Sequence, residues 1–312
     1  MKFGGTSVGS PQRIKNVANL ISSDEQKFVV LSAMSGTTNT LVEITDYLNK
    51  ENSLGANNVI SRLECVYHKH VSELYSTEKY RKITDDFITE EFGYLHKLTQ
   101  KKHDENVDKE ILAQGEVIST NMMTNYLKEL GKNVILLSAL DFMSTNKDKE
   151  PDELQISKRL NEILKKEPDY NIYITQGFIC RNADGYIDNL QRGGSDYTAS
   201  LIGAAIKAEE IQIWTDIDGM HNNDPRFVEG TKPVDQLNFE EAAELAYFGA
   251  KILHPTCILP AKFAGIPVRL LNTLDPSAKG TIINNEMKSG KIKAIAAKDG
   301  ITAIRIVSSR ML

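Results

Sequence analysis

Short runs rich in β-branched residues, at 28–31, 134–137, 172–178, 211–215 and 268–271, alternate along this chain with longer segments of helical periodicity. That alternation constrains the fold more than any other feature. A strand, a helix and a further strand in succession favour parallel pairing with the helix crossing over one face, and repetition covers both faces of the sheet. The sequence therefore predicts an α/β fold with a mainly parallel sheet. In such sheets ligands collect beyond the carboxyl ends of the strands, so the polar and glycine-rich residues after each run are where chemistry is sought.

Local signals place several elements. Ser10 is an N-cap ahead of Pro11 at the first helical position, and Ile14, Val17, Ala18 and Ile21 share one face. Residues 59–103 are helical in pattern and rich in charge, which reads as a helical insertion outside the sheet. Asn182, Ala183, Asp184, Gly185 and Tyr186 form a hairpin-turn sequence. Asn238 before Phe239, Glu240 and Glu241 resembles a capping box, and Gly249 is the expected end of that helix. After Gly280 the chain turns polar and lysine-rich until 301–307, a strand-like run with little after it, as if a second domain begins there.

Composition removes whole classes of function. With 312 residues, 41% apolar and 25% charged, the chain can bury a sizeable core. Its net charge of -5 gives no electrostatic footprint for nucleic acid or an anionic membrane. No apolar run approaches the roughly 20 residues of a membrane helix, and Met1 and Lys2 lead into glycines rather than a secretory signal. Cys65, Cys180 and Cys257 are scattered and lack metal or redox spacing, as expected of reduced thiols in a cytoplasmic protein.

Five segments carry chemistry. The first, KFGGTSVG at 2–9, sets a lysine at the end of a short strand, then glycines, then a helix start. Backbone N–H groups there can approach phosphate oxygens while Lys2 and the helix dipole counter their charge; read alone, it is equally a glycine-rich turn with a surface lysine. The second, LSAMSGTTN at 31–39, offers hydroxyls for small polar groups, or merely a capped loop. In the third, Gln114-Gly115-Glu116, the carboxylate suits a substrate ammonium, or is a solvated residue near a helix start.

The fourth segment, QRGGSD at 191–196, leads into a helix from 197 to 207. Arg192 has the planar fork that grips a carboxylate, and Asp196 either complements the helix dipole or orients Lys2 or a metal-bound water. The fifth comprises WTDIDG at 214–219, NDPR at 223–226 and GAKILHP at 249–255. Thr215, Asp216, Arg226 and Lys251 can line a nucleotide site, although Asp224-Pro225, Lys251 and His254 also read as a turn, a helix-end cation and a structural histidine.

Taken together, KFGGTSVG, LSAMSGTTN, RGGSD, WTDIDG with NDPR, and FGAKILHP resemble the aspartate kinase branch of the amino acid kinase family, from Lys2 to about Thr281. The resemblance implies a three-layer αβα sandwich around a mainly parallel sheet of about eight strands. It implies ATP, Mg²⁺ and L-aspartate as ligands, aspartate in the N-terminal half and ATP in the C-terminal half. Lys2 and Asp196 take the catalytic positions. Lys2, Gly4, Gly5 and Thr6 match phosphate-binding positions, Thr215, Asp216, His221, Arg226, Lys251 and Ile252 nucleotide positions, and Ser32, Ala33, Thr38, Glu116, Phe178, Arg192, Gly193 and Ser195 amino-acid positions. No residue is assigned as a metal ligand.

Departures from the family pattern are His221, where a tyrosine against the nucleotide is usual, Gln191 in place of a glycine, and a first strand preceded by only Met1. The resemblance further implies a catalytic domain at 1–283. Residues 284–312 then form a linker and the start of an ACT-type regulatory module of the kind that binds lysine or threonine. The expected whole is a homo-oligomer, with or without a fused homoserine dehydrogenase. Alternatives are a kinase of the same fold for glutamate, N-acetylglutamate, carbamate or UMP, and a non-catalytic amino-acid sensor.

Overall fold

The computed structural model describes residues 1–190, 193–248, 253–287, 292–297, 300 and 302. Ten strands occur among them: β1 (Lys2–Phe3), β2 (Lys27–Leu31), β3 (Val134–Leu137), β4 (Ile172–Gln176), β5 (Ile179–Arg181), β6 (Ile187–Asn189), β7 (Ile211–Thr215), β8 (Gln236–Asn238), β9 (Val268–Asn272) and β10 (Thr281–Asn284). The helices are α1 (Pro11–Ile21), α2 (Thr37–Asn49), α3 (Ser53–Leu74), α4 (Glu78–Leu98), α5 (Glu105–Glu129), α6 (Glu153–Lys166), α7 (Gly194–Ile206), α8 (Phe239–Phe248) and α9 (Leu259–Ala264).

Eight strands form one sheet in the order β3-β4-β2-β1-β7-β9-β10-β8, and β5 pairs with β6 in a separate hairpin. Pairing is parallel from β3 to β9; β10 is antiparallel to β9 and parallel to β8. Side chains alternate across the sheet with period two. Val29, Leu31, Ile172, Ile174, Trp214 and Leu271 join one core with residues of α1–α5. Val30, Tyr173, Ile211, Ile213, Val268 and Leu270 join the other with residues of α6–α9. The result is the expected three-layer sandwich with about eight mainly parallel strands.

The short β1 lies between β2 and β7, so the chain builds outward on one side of it and then crosses to the other. The carboxyl end of β1 is thus the switch point of the sheet, the place where sheets of this kind take their ligands. Lys2 pairs in register with Val30 on one flank and Ile213 on the other.

The helical insertion is α3 and α4, whose buried residues recur at helical spacing: Ile60, Leu63, Tyr67, Val71 and Leu74 on one, Thr84, Ile88, Phe92 and Leu95 on the other. The start of α1 follows the sequence signals, with Ser10 Oγ accepting from Arg13 N. The capping box at α8 is reciprocal: Glu241 N donates to Asn238 Oδ1, and Asn238 N donates to Glu241 Oε2, both at 2.8 Å.

Three expectations are corrected. The run 172–178 is strand only to Gln176, because Phe178 turns at φ +69° while its N–H donates to Thr198 Oγ1 and its carbonyl accepts from Leu190 N. Helix α7 begins at Gly194 rather than 197, capped by Gly193 at φ +72°. Residues 281–284, read as polar tail, form β10 inside the sheet, and 236–238 form β8 beside it. The expected helix end at Gly249 and the strand-like run 301–307 lie outside the described residues, apart from residue 302.

Beyond β10, Lys293 Nζ lies 2.6 Å from Glu241 Oε2 and Ile295 N donates to Asn222 O, so 292–297 is tied to α8 and to the residue before the NDPR segment. No helix among the described residues is long and apolar enough to cross a membrane.

Candidate active site

The glycine loop after β1 is folded tightly on itself. Ser7 N and Val8 N both donate to Gly4 O. A Cβ on Gly5 would stand 2.8 Å from Ala33 O, and one on Gly9 would stand 2.8 Å from Ser35 Cβ. Those approaches are closer than a side chain tolerates, so glycine lets the loop lie against the turn after β2. Thr6 is exposed at its tip, and its carbonyl accepts from Arg13 Nη1.

Lys2 does not point to bulk solvent. Its side chain is 12% exposed and its Nζ lies 2.8 Å from Asp196 Oδ1 in the first turn of α7, with that carboxylate 14% exposed. The contact is an ion pair rather than an aligned hydrogen bond. Asp196 thus meets Lys2 from the amino end of α7, a position that also complements the helix dipole.

A second group of residues converges beside this pair. Ser32 Oγ donates to Ser195 Oγ at 2.9 Å, Ser119 Oγ donates to Ser32 O at 2.8 Å, and Ala33 N donates to Glu116 Oε1 at 3.1 Å. Close packing holds them: a Cβ on Gly115 would stand 2.7 Å from Ala33 Cβ, one on Gly177 2.4 Å from Ser195 Oγ, and one on Gly194 2.7 Å from Phe178. Ser32, Ala33, Glu116, Phe178, Gly193 and Ser195 are therefore neighbours around one end of the crevice. Thr38 lies in the first turn of α2, exposed.

Glu116 corrects the reading of a solvated helix-start residue. It sits in the middle of the 25-residue α5 and is 5% exposed. Burial pushes its carboxyl up to about 7, against the pull of the Ala33 amide. Among the described residues no cationic side chain pairs with it.

On the other flank, Thr215 ends β7 and donates through Oγ1 to the exposed Asp216 at 3.2 Å. The ring nitrogens of His221 are both engaged, Nε2 with Asp218 Oδ1 at 2.6 Å and Nδ1 with Thr231 Oγ1 at 2.8 Å. Arg226 is exposed and grips its neighbour Asp224, whose carboxyl that guanidinium holds down at about 2. Arg192, Lys251 and Ile252 lie outside the described residues.

Sequence reasoning missed several participants. Ser119 is three residues after Glu116 and so on the same helix face, which is the one signal that pointed to it. Tyr67 comes from the helical insertion, its hydroxyl 2.7 Å from Thr37 Oγ1. Cys257 lies under the cap of α7 and donates to Gly193 O at 3.5 Å, with burial pushing its thiol up to about 12. Only the fold could bring these two in.

The comparisons agree with this architecture. Aspartokinase 2, chloroplastic, of Arabidopsis thaliana is 36% identical over all of this chain and 59% of its own length. Lysine-sensitive aspartokinase 3 of Escherichia coli (strain K12) is 33% identical over all of this chain and 70% of its own length. The crystal structure of E. coli aspartokinase III in complex with aspartate and ADP matches with a TM-score of 0.80 at 32% identity, over 92% of this chain and 64% of that one. The chain thus spans about three fifths of the length of the Arabidopsis relative. The amino acid kinase family model matches residues 1–272, and with that match covering most of the sheet and both flanks of its switch point, the chain belongs to the amino acid kinase family.

Proposed function

We propose that this chain is the catalytic part of an aspartate kinase, transferring the γ-phosphoryl group of MgATP to the β-carboxylate of L-aspartate to give 4-phospho-L-aspartate and ADP. The observation that carries the reading is Glu116, a buried carboxylate facing the turn after β2 with no cationic side chain beside it among the described residues. An α-ammonium arriving there supplies the missing countercharge. Glutamate shares that ammonium; N-acetylglutamate, carbamate and UMP do not. The E. coli structure that names aspartate and ADP as its ligands supports the same choice.

In this reading Glu116 holds the ammonium, Arg192 the α-carboxylate, and Ser32, Ala33, Thr38, Phe178, Gly193 and Ser195 shape the rest of the pocket. The side-chain carboxylate of aspartate is ionised at neutral pH and needs no general base. The obstacle is bringing an anion up to a polyphosphate. Lys2, the N–H groups of Gly5 and Thr6, and the amino end of α1 lower that repulsion, most of all as charge spreads over the transferring group, while Gly4, its own N–H given to Trp214 O, lets the backbone approach. Asp196 keeps the Lys2 ammonium aimed at the crevice. Thr215, Asp216, His221, Arg226, Lys251 and Ile252 serve the nucleotide. At His221 the imidazole, pinned by Asp218 and Thr231, replaces the usual tyrosine.

No three His, Cys, Asp or Glu gather into a ligand set among the described residues. In this reading Mg²⁺ would be held chiefly by nucleotide phosphates and water, with a carboxylate of Asp196 or Asp216 as the chain's contribution. When bound, Mg²⁺ neutralises phosphate charge. We further propose that 1–283 is the catalytic unit and that 284–312 leads toward an ACT-type regulatory module. The full-length protein is then a cytoplasmic homo-oligomer.

A substrate panel tests the reading. ADP release from MgATP should depend on L-aspartate, with glutamate, N-acetylglutamate, carbamate and UMP far poorer acceptors. Release driven equally well by an acceptor without an α-ammonium would overturn the role given to Glu116.

A further inference from the structure

Three strand ends are joined behind the glycine loop by a pair of buried hydroxyls that the scheme above does not use. Ser7 lies between β1 and α1, Thr273 follows β9, and Thr215 ends β7; Ser7 is 3% and Thr273 9% exposed. Ser7 Oγ is 2.6 Å from Thr273 Oγ1. Thr273 Oγ1 donates to Thr215 O at 2.6 Å, and the same carbonyl accepts from Thr273 N at 2.8 Å.

The direction of this chain follows from the chemistry of its ends. A carbonyl oxygen only accepts, so the single hydroxyl proton of Thr273 is committed to Thr215 O. The proton between the two hydroxyls must then come from Ser7. The arrangement runs one way, from Ser7 through Thr273 to Thr215, and no proton in it is left to give to a substrate. Its effect is to fix positions. Ser7 N also closes the turn onto Gly4 O at 2.9 Å, so whatever holds Ser7 holds Gly4, Gly5 and Thr6. On its other side the loop meets Ala33 O and Ser35 Cβ by close contact alone, which limits approach without setting lateral position.

We propose that Ser7 and Thr273 are positioning residues for nucleotide binding. Their hydroxyl pair latches the glycine loop, which faces the terminal phosphates, to the ends of β7 and β9, where Thr215 and Asp216 serve the rest of the nucleotide. The latch sets the spacing between the two parts of the nucleotide site. This rests on the kinase reading, in that it needs a phosphate ligand at the glycine loop. Without the latch Gly4 N keeps its 3.4 Å bond to Trp214 O, but Gly5, Thr6 and the turn beyond them lose their fixed distance from the β7 edge.

The test uses Ser7→Ala, Thr273→Val, the double variant and Thr273→Ser in the chain as it stands. ADP affinity is read by titration calorimetry, KM for ATP and for aspartate by ADP release, and stability by thermal midpoint. One neutral hydrogen bond corresponds to about a three- to tenfold change in an equilibrium constant. Ser7→Ala and Thr273→Val should each weaken ADP and raise the ATP KM by about that factor, with aspartate KM changing by less than about twofold. The double variant should be no worse than Thr273→Val, since once Thr273 loses its hydroxyl the Ser7 hydroxyl has no latch left to contribute to, and Thr273→Ser should restore binding. Unchanged ADP affinity beside a lowered midpoint would make the pair mere packing and overturn the proposal, as would additive losses or equal rises in both KM values. If Thr273→Val does not fold, Ser7→Ala and Thr273→Ser still decide the matter. Calorimetry with ADP needs no acceptor, so a wrong acceptor assignment would show in the substrate panel and leave this outcome readable.

Discussion

Replacing Glu116 by Gln should make the protein more stable above neutral pH while impairing it as an enzyme. The carboxyl is held near 7 by burial, above the 4.5 of an exposed glutamate, so between these values the folded state binds a proton that the unfolded chain has released. Folding therefore loses stability as pH rises from about 4.5 through about 7, and the loss is complete above that window. A difference of roughly 2.5 pH units at about 1.36 kcal/mol each sets the cost at about 3 kcal/mol. Gln keeps the shape and an oxygen to accept from Ala33 N but carries no charge, so the cost disappears, less whatever its buried amide nitrogen forfeits. Denaturant unfolding of both proteins at pH 5 and pH 8 measures this. The wild type should fall relative to the variant by up to about 3 kcal/mol between the two values. Parallel pH dependence would refute the claim that Glu116 is buried without a cation. If Glu116 holds the ammonium as proposed, protonation below about 7 removes that group, so aspartate KM should rise toward acid pH, and the variant should have a high KM without that limb.

Other perturbations probe the phosphate and carboxylate ends. Lys2→Ala should lower turnover by about two to three orders of magnitude with an unchanged circular dichroism spectrum; near-normal ADP release would remove Lys2 from the mechanism. Arg192→Ala should chiefly raise aspartate KM, and an unchanged value would refute the carboxylate clamp.

What the sequence reveals about this fold divides by range. Helix α1, the turn at Asn182 and the capping box at Asn238 are written within a few residues, and each forms as those residues dictate; Asn182 Oδ1, for example, accepts from both Asp184 N and Tyr186 N. Helix α5 shows the opposite case. Gln114, Glu116, Ser119, Thr120 and Thr124 suggest a wet face, yet all are buried. They are tolerated because several bond back along the helix or across to the sheet: Thr120 Oγ1 to Glu116 O, Thr124 Oγ1 to Thr120 O, and Ser119 Oγ to Ser32 O. Strands β8 and β10 escape notice because three- and four-residue segments are defined by their partners. In the candidate site the motif residues are legible singly, but the pairing of Lys2 with Asp196 joins residues 194 positions apart, a relation only the sheet order creates.

The central claim is phosphoryl transfer to the aspartate side chain. It is tested most directly by incubating the protein with MgATP, L-aspartate and hydroxylamine. Aspartate β-hydroxamate should accumulate one for one with ADP, because the proposed product is an acyl phosphate. ADP formation without hydroxamate, or at a rate indifferent to aspartate, would contradict it.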